Sequence, residues 1–340
     1  MTSPHLEDLP PPPPGRTGWP WTEACPPLPA ARPDGRPWPR ISIVTPSFNQ
    51  GDYIEETIRS ILLQGYPDLE YIVMDGGSSD RSVEVVRKYE RWITAWRSAP
   101  DKGQADAINQ GLAQATGEVF HFINSDDVLA PGALAAVGAA AGDDVCVAGA
   151  VLEFGGEAPH LVRNLNLSAR RMVSAYGRTP YCTWHQPGLW MSRKNLVELG
   201  GFDVDFWFCF DFHATVRYLE RWPQVRYVDD VLVRFRIHPS AKTTASAERV
   251  LREHLATLDD LAGRLRTDEA RAGARLGRRR MVWPVQVQAI RDSASSPLAK
   301  AMKLTRHVLL QPRVSANRFT VGAIRRELSQ AFAPASRRGA

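Results

Sequence analysis

The chain of 340 residues is long enough for one large domain with additions or for two domains, and its 44% hydrophobic content is ordinary for a globular protein. Four widely spaced cysteines without a CxxC pair argue against a zinc site or a disulfide framework and make a reducing compartment the default. No apolar run reaches membrane-spanning length, and the Pro-rich start lacks the basic-then-apolar order of a signal peptide. Net charge is +5, but residues 261–340 hold 17 Lys and Arg against 4 Asp and Glu, while residues 1–260 hold 25 against 33. A tail of +13 on a body of −8 suits an anionic partner, a membrane surface or nucleic acid; a solvated basic helical face gives the same count.

Residues 1–40 hold 13 of the 26 prolines, including the run from Pro10 to Pro14. Helix and central strand are barred there, so residues 1–39 are expected to form an extended, mostly disordered arm. Trp19, Trp21 and Trp38 are its candidates for packing on the body. From Arg40 strand and helix alternate. Residues 41–45 read as a strand, and Tyr53, Ile54, Thr57, Ile58, Ile61 and Leu62 recur at helical spacing before Gly65. Residues 69–74 are a second strand, and residues 82–91 a helix. Ala105, Ile108, Leu112 and Ala115 trace another helix closed by Gly117, and residues 119–123 form the next strand. Such alternation predicts a parallel sheet with helices on both faces, whose ligands bind beyond the carboxyl ends of the strands. After about residue 245 the pattern is helical, with Leu251, Leu255, Leu258, Leu261 and Leu265 as one apolar stripe. The resulting organisation is an arm over 1–39, a catalytic domain over 40–244 and a basic helical extension over 245–340.

Polar motifs fall at the strand ends. The apolar strand at 119–123 runs into Asn124-Ser125-Asp126-Asp127, and adjacent carboxylates there call for a positive partner. A hard divalent cation holding a diphosphate is the natural one. Thr45-Pro46-Ser47-Phe48-Asn49-Gln50 ends the first strand with hydroxyls and an amide that suit a base or ribose, and also an ordinary turn. Asp75 ends the second strand before two glycines that let backbone approach a ligand; its carboxylate suits the imide N–H of a uracil-type base, or closes a turn. Asp80 caps the following helix. Asp101-Lys102-Gly103 precedes a helix carrying Asp106 and Asn109 on one face.

The series TPSFNQGDYIEETIRSILLQ, YIVMDGGSSDRSVEVVRKY, APDKGQADAINQGLAQATGE and FHFINSDDVL, in this order and at this spacing, resembles family 2 glycosyltransferases over roughly residues 40 to 240. The resemblance implies a GT-A (Rossmann-like) α/β fold and a metal-dependent (Mn2+ or Mg2+), inverting transfer of sugar from a nucleotide-diphosphate donor to an acceptor hydroxyl. It assigns Thr45, Pro46, Asn49 and Asp75 to the nucleoside, and Asp101, Lys102 and Asp106 to the nucleotide and donor sugar. Asn124-Ser125-Asp126 occupies the metal-binding DxD position with Asn124 in place of the first Asp. Asp126 then becomes the direct metal ligand, Asp127 assists it or binds sugar, Asn124 and Ser125 go with the donor, and the missing carboxylate implies that the cation arrives largely with the diphosphate. Gly200-Gly201-Phe202-Asp203 precedes the general base, matched by Asp211, with Asp203 and Asp205 as nearby competitors; the apolar flank of Phe210 would raise the base's pKa. Trp184 and His185 fall in the acceptor-side loop. His238, in Arg236-Ile237-His238-Pro239 followed by Lys242 and Thr243, would complete the metal–diphosphate site.

Asp75 favours a UDP or dTDP sugar. The typical acceptor of the family is a growing glycan or lipid-linked saccharide, shaped here by residues 153–181. Nucleic acid is disfavoured as a partner, and the location expected is cytoplasmic, peripheral to the inner face of the membrane through the basic tail. A catalytically silent nucleotide-sugar-binding protein is the alternative. A sugar nucleotidyltransferase lacks support because TPSFNQ has no Lys or Arg, and a dehydrogenase because no GxGxxG follows the first strand.

Overall fold

A computed structural model of the chain describes residues 4–175, 182–239, 241–242 and 247–332. Thr243, named above, lies outside the described residues. Nine strands form one sheet: β1 (Ile41–Ser47), β2 (Leu69–Asp75), β3 (Ala95–Ser98), β4 (Val119–Phe122), β5 (Val128–Leu129), β6 (Cys146–Phe154), β7 (His160–Arg163), β8 (Leu189–Ser192) and β9 (Val225–Arg236). The order is β3-β2-β1-β4-β8-β6-β9-β5, with β7 beside β6. The first four strands are parallel, and β8 joins β4 antiparallel, so the sheet is mixed beyond its parallel half. Helices α1 (Ile54–Leu62), α2 (Ser82–Lys88), α3 (Gln104–Gln114) and α4 (Ala133–Ala140) alternate with these strands; α5 (Ala169–Ala175), α6 (Arg193–Leu199) and α7 (Phe210–Arg221) follow. Strands β1 and β2 are buried along their whole length, as continuous apolar runs in a covered parallel sheet must be. One core joins Ile41, Ile43, Tyr71 and Val73 of the sheet to Ile54, Ile58 and Ile61 of α1.

The Pro-rich arm departs from expectation. It is extended, but residues 4–39 are laid down on the body. Arg59 of α1 is fully buried, and its guanidinium donates to the carbonyls of Pro10 (2.8 Å), Pro20 (3.1 Å) and Trp21 (2.9 Å). Trp19 Nε1 donates to the Leu129 carbonyl at 2.8 Å, and Arg32 Nη1 to that of Gly138 at 3.1 Å. Gly65 has φ +64°, and a Cβ there would stand 2.3 Å from the Pro26 carbonyl, so the arm's close approach requires glycine. Prolines remove donors but leave carbonyl acceptors; buried side-chain donors take them up.

The chain divides into two compact units: residues 1–169 with 180–253, and residues 170–179 with 254–340. The expected boundary lay near 244; the division between the units falls further on, inside helix α8 (Ala247–Arg264). The second unit continues through α9 (Asp268–Asp292), α10 (Pro297–Leu310), α11 (Pro312–Ser315) and α12 (Arg318–Ala331). Leu258, Leu261 and Leu265 are buried as the stripe predicts. Helix α9 runs through Pro284 without a break. Trp283, Val287, Leu304, Val314 and Ala323 make this unit's own core.

Candidate active site

Parallel register places the ends of β1, β2 and β3 side by side, with Ser47 opposite Asp75 and Asp75 opposite Ser98. Asp75 is nearly fully buried. Its Oδ2 accepts from the N–H groups of Gly77 (3.1 Å) and Ser78 (2.9 Å) and from Ser98 Oγ (2.6 Å), and Ser78 Oγ donates to Oδ1. A carboxylate has about four acceptor positions, so this one is committed to its turn. Thr45 is fully buried and its hydroxyl meets Tyr71 Oη at 3.2 Å, which turns it away from any ligand. Pro46 is buried beside it. Asn49 is exposed, takes φ +52°, and its Oδ1 accepts from Ser79 N–H at 2.9 Å. Of this group, then, Asn49 stands at the surface, while Thr45, Pro46 and Asp75 build the floor. The N-cap position of α2 is Arg81, not Asp80 as expected; Asp80, one residue earlier, accepts the Ser82 N–H at 2.9 Å.

On the next loop, Asp101 Oδ1 accepts from Gly103 N–H at 2.7 Å, and its carboxylate lies against Gly76. Partial burial, with the charges of Asp106 and Asp75 adding to it, pushes its pKa up despite the Gly103 N–H. Asp106 accepts from the Lys102 N–H (3.0 Å) and from Gln110 Nε2 (2.9 Å), and Lys102 is exposed. Asn109, on the same helix, braces Phe202 by accepting its N–H (2.8 Å) and donating to its carbonyl (2.7 Å). A Cβ at Gly201 would stand 2.5 Å from Asn109 Oδ1, so this element of the Gly-Gly-Phe-Asp sequence is fixed to α3 by close approach.

The Asn124–Asp127 turn is pinned from beneath by Thr57 of α1, whose hydroxyl lies 2.9 Å from the Ser125 carbonyl and 2.6 Å from that of Asp127. Ser125 is buried. Asp127 is buried; its Oδ1 accepts from Arg236 N–H at 3.0 Å, and Asn124 Nδ2 donates to its Oδ2 at 3.2 Å. Burial and then the charge of Asp126 push the Asp127 carboxyl well above the usual range. Asp126 remains partly accessible, and its Oδ2 lies 2.9 Å from His238 Nε2. The imidazole in turn packs against Tyr53, with ring centroids 4.7 Å apart and planes tilted by 38°. Arg236 Nε donates to the Asp126 carbonyl (2.9 Å) while Nη2 pairs with Glu56 (2.9 Å). That guanidinium therefore holds the turn in place.

An imidazole nitrogen and a carboxylate oxygen 2.9 Å apart are donor types that Mn2+ accepts. Among the described residues no group of three or more His, Cys, Asp or Glu side chains is preassembled for a cation. Asp126 and His238 are the side-chain donors this site offers a cation.

On the other side, Asp211 occupies the first turn of α7, and its Oδ1 accepts from Phe212 N–H at 2.7 Å. Burial pushes its carboxyl up to about 6, against the opposing pull of nearby N–H groups and Lys242. Lys242 is pushed down to about 8, also by burial, although Asp211 and Glu253 favour its charge. Its Nζ donates to Gln104 Oε1 (2.9 Å) and the Trp207 carbonyl (2.7 Å) and lies 4.6 Å over the Trp207 ring. Gln104 Nε2 donates to Asn124 Oδ1 at 2.6 Å. A continuous string, Lys242–Gln104–Asn124–Asp127, therefore joins the surroundings of Asp211 to the Asn124–Asp127 turn. Glu253 accepts from the N–H groups of Phe208 and Cys209. Of the competitors, Asp203 accepts from Asp205 N–H at 3.2 Å, and Asp205 is exposed. Trp184 packs on Phe212, with centroids 5.3 Å apart. His185 lies 3.4 Å from Glu153 and edge-on to Phe235; burial, and to a smaller degree His160, lowers its pKa against the pull of Glu153. All these residues belong to the first compact unit. In the sequence, Gln104, Glu56 and Glu253 went without a site role, and Tyr53 and Thr57 stood out only as members of a helical stripe. The available sign for Gln104 was its place as the first residue of a helix opening beside Asp101.

Residues 42–200 match glycosyl transferase family 2, and the fold is GT-A. An uncharacterized glycosyltransferase of Mycobacterium tuberculosis (strain H37Rv) is 33% identical over 185 residues, 49% of this chain and 64% of that protein. The chain thus spans less than two thirds of that relative's length. The putative teichuronic acid biosynthesis glycosyltransferase TuaG of Bacillus subtilis (strain 168) is 37% identical over 92 residues, 26% of this chain and 36% of that protein. Among solved structures, the mannosyltransferase PcManGT from Pyrobaculum calidifontis, in complex with GDP-Man and Mn2+, has a TM-score of 0.55 at 21% identity, covering 91% of this chain and 90% of that one. S. aureus TarS in complex with UDP-GlcNAc has a TM-score of 0.54 at 15% identity, covering 86% and 81%.

Proposed function

We propose that the chain transfers a sugar from a nucleotide-diphosphate donor to an acceptor hydroxyl, with inversion and with a divalent cation at Asp126 and His238. The observation that carries this reading is the 2.9 Å approach of Asp126 and His238 beyond β4, with a buried Asp211, its carboxyl pushed up to about 6, on the acceptor side. When bound, the cation would offset charge on the diphosphate. Asp211 takes the proton of the acceptor hydroxyl as its oxygen bonds to the anomeric carbon; the bond from that carbon to the diphosphate breaks, and the nucleoside diphosphate leaves with the electron pair. The Lys242 ammonium beside Asp211 favours its ionised form before the acceptor arrives. Trp184 and His185 lie on the acceptor side, and Asn49, Asp101 and Lys102 on the donor side.

The preference for uracil or thymine rested on Asp75, whose carboxylate serves its own turn. Structural neighbours were solved with UDP-GlcNAc and with GDP-Man, so the base is left to experiment. The acceptor class we favour is a glycan or lipid-linked saccharide, met at an anionic membrane through the basic extension. The four cysteines, widely spaced and without a CxxC pair, suit a reducing, cytoplasmic setting.

Calorimetric titration with UDP, dTDP and GDP, each with and without Mn2+, tests the donor site. One nucleotide should bind only with Mn2+, and Asp126→Ala should abolish that binding. Failure of every nucleotide to bind would overturn the reading; binding without turnover on any acceptor would favour the silent alternative.

A further inference from the structure

In α10, Ala301 and Leu304 are buried, whereas Leu298 (45% exposed), Met302 (65%) and Leu309 (76%) stand in solvent. Their spacings of four and seven put them on one helical stripe. Helix α12 repeats the pattern with Val321, Leu328 and, just past its end, Phe332, which is 75% exposed. Between the two stripes lies an open apolar groove of about 440 Å³, lined chiefly by Met302, Leu309 and Leu310 of α10 and Leu328 of α12, with Arg306 at its side. Residues 297–331 carry seven Lys and Arg and one acid, Glu327. That acid is buried and paired with Arg291 at 3.3 Å, so the exposed charge on α10 and α12 is basic only.

We infer that the α10–α12 face is an interfacial membrane-docking surface: the apolar stripes and groove take acyl chains while Arg306, Arg318 and Arg325 meet anionic headgroups. Charge complementarity selects this occupant. An apolar stripe bordered by cations alone is the pattern of a helix lying in the plane of an anionic bilayer. No helix among the described residues is long and apolar enough to cross a membrane. The inference deepens the reading of the basic extension given above. It specifies apolar insertion, which charge alone does not supply.

Co-sedimentation of the full chain with phosphatidylglycerol-containing vesicles and with phosphatidylcholine vesicles tests it. Binding is expected to the first only. Met302→Glu with Leu309→Glu should remove it, with melting temperature and nucleotide affinity unchanged because both side chains are already in solvent. Arg306→Glu with Arg325→Glu should weaken it and reduce its salt dependence. Undiminished vesicle binding by the Met302/Leu309 variant would overturn apolar insertion. So would a wild-type dimer that this variant converts to monomer, since the face would then join two copies. Nucleotide titration of the same samples reports separately on the donor site.

Discussion

Asp211 and Lys242 set opposite limits on activity. With its carboxyl near 6, Asp211 is protonated in mildly acid solution and cannot accept the acceptor's proton; Lys242 loses its charge above about 8. We expect kcat/KM to rise through about pH 6 and fall beyond about pH 8. Asp211→Asn should lower kcat by about 10²–10⁴-fold and erase the acid limb while leaving nucleotide affinity intact; a retained acid limb would move the base elsewhere. Because the native Asp211 pKa lies above the ordinary carboxylate value, the folded state binds the proton more tightly. This group's contribution therefore falls as pH rises from about 4 to about 6, and Asp211→Asn should be no less stable than wild type at neutral pH. Gln104 is a positioning residue. Gln104→Ala should reduce kcat/KM about 10- to 100-fold, as loss of an orienting neighbour does, with a basic limb shifted from that of wild type; a change under about twofold with an unmoved limb would mean that Lys242 and Asn124 need no bridge. Residue-scale legibility follows from these contacts. Asp126 was readable because carboxylates ending an apolar strand demand a partner, whereas Gln104 touches residues 20 and 138 positions away, which no local pattern reveals.

At the scale of elements, α1 does more than cover the sheet. Thr57 pins the metal-side turn, Glu56 holds Arg236, and Arg59 holds the arm, each from its own side of a single helix. Arg59→Met should destabilise the protein by about 3 kcal/mol, since it leaves buried carbonyls without donors, and should make residues 4–39 susceptible to proteolysis. Equal unfolding midpoints in denaturant would show that the arm's order is independent of Arg59. Proline content announced correctly that no α-helix or central strand forms over residues 4–39, where the one helical turn is a 3-10 turn at Leu6–Asp8. It could not announce order, because order depends on whether distant donors reach the arm's carbonyls. Helix α9 teaches the complementary lesson: Pro284 does not end it, because packing of Trp283 and Val287 on both sides of the proline outweighs one missing hydrogen bond.

For the whole molecule, alternation of strand and helix foretold the parallel half of the sheet, and four ordered motifs foretold the GT-A class. The antiparallel insertion of β8 between β4 and β6 was not foreseeable from residues 189–192 alone, since four apolar residues carry no direction. Nor was the membership of residues 170–179 in the second unit. There Gly277 lets α9 approach α5 so closely that a Cβ would stand 1.9 Å from the Val173 carbonyl.

The seating of Trp19 on Leu129 bears on how the protein behaves in concentrated solution. Strand β5 is the last in the sheet and only two residues long. Its Leu129 N–H is taken by Ser60 Oγ at 3.0 Å and its carbonyl by the Trp19 indole. A neighbouring molecule offering a strand to this edge would find both groups occupied. The arm thus acts as a guard against edge-to-edge association, and preparations clipped within it would be the ones to precipitate.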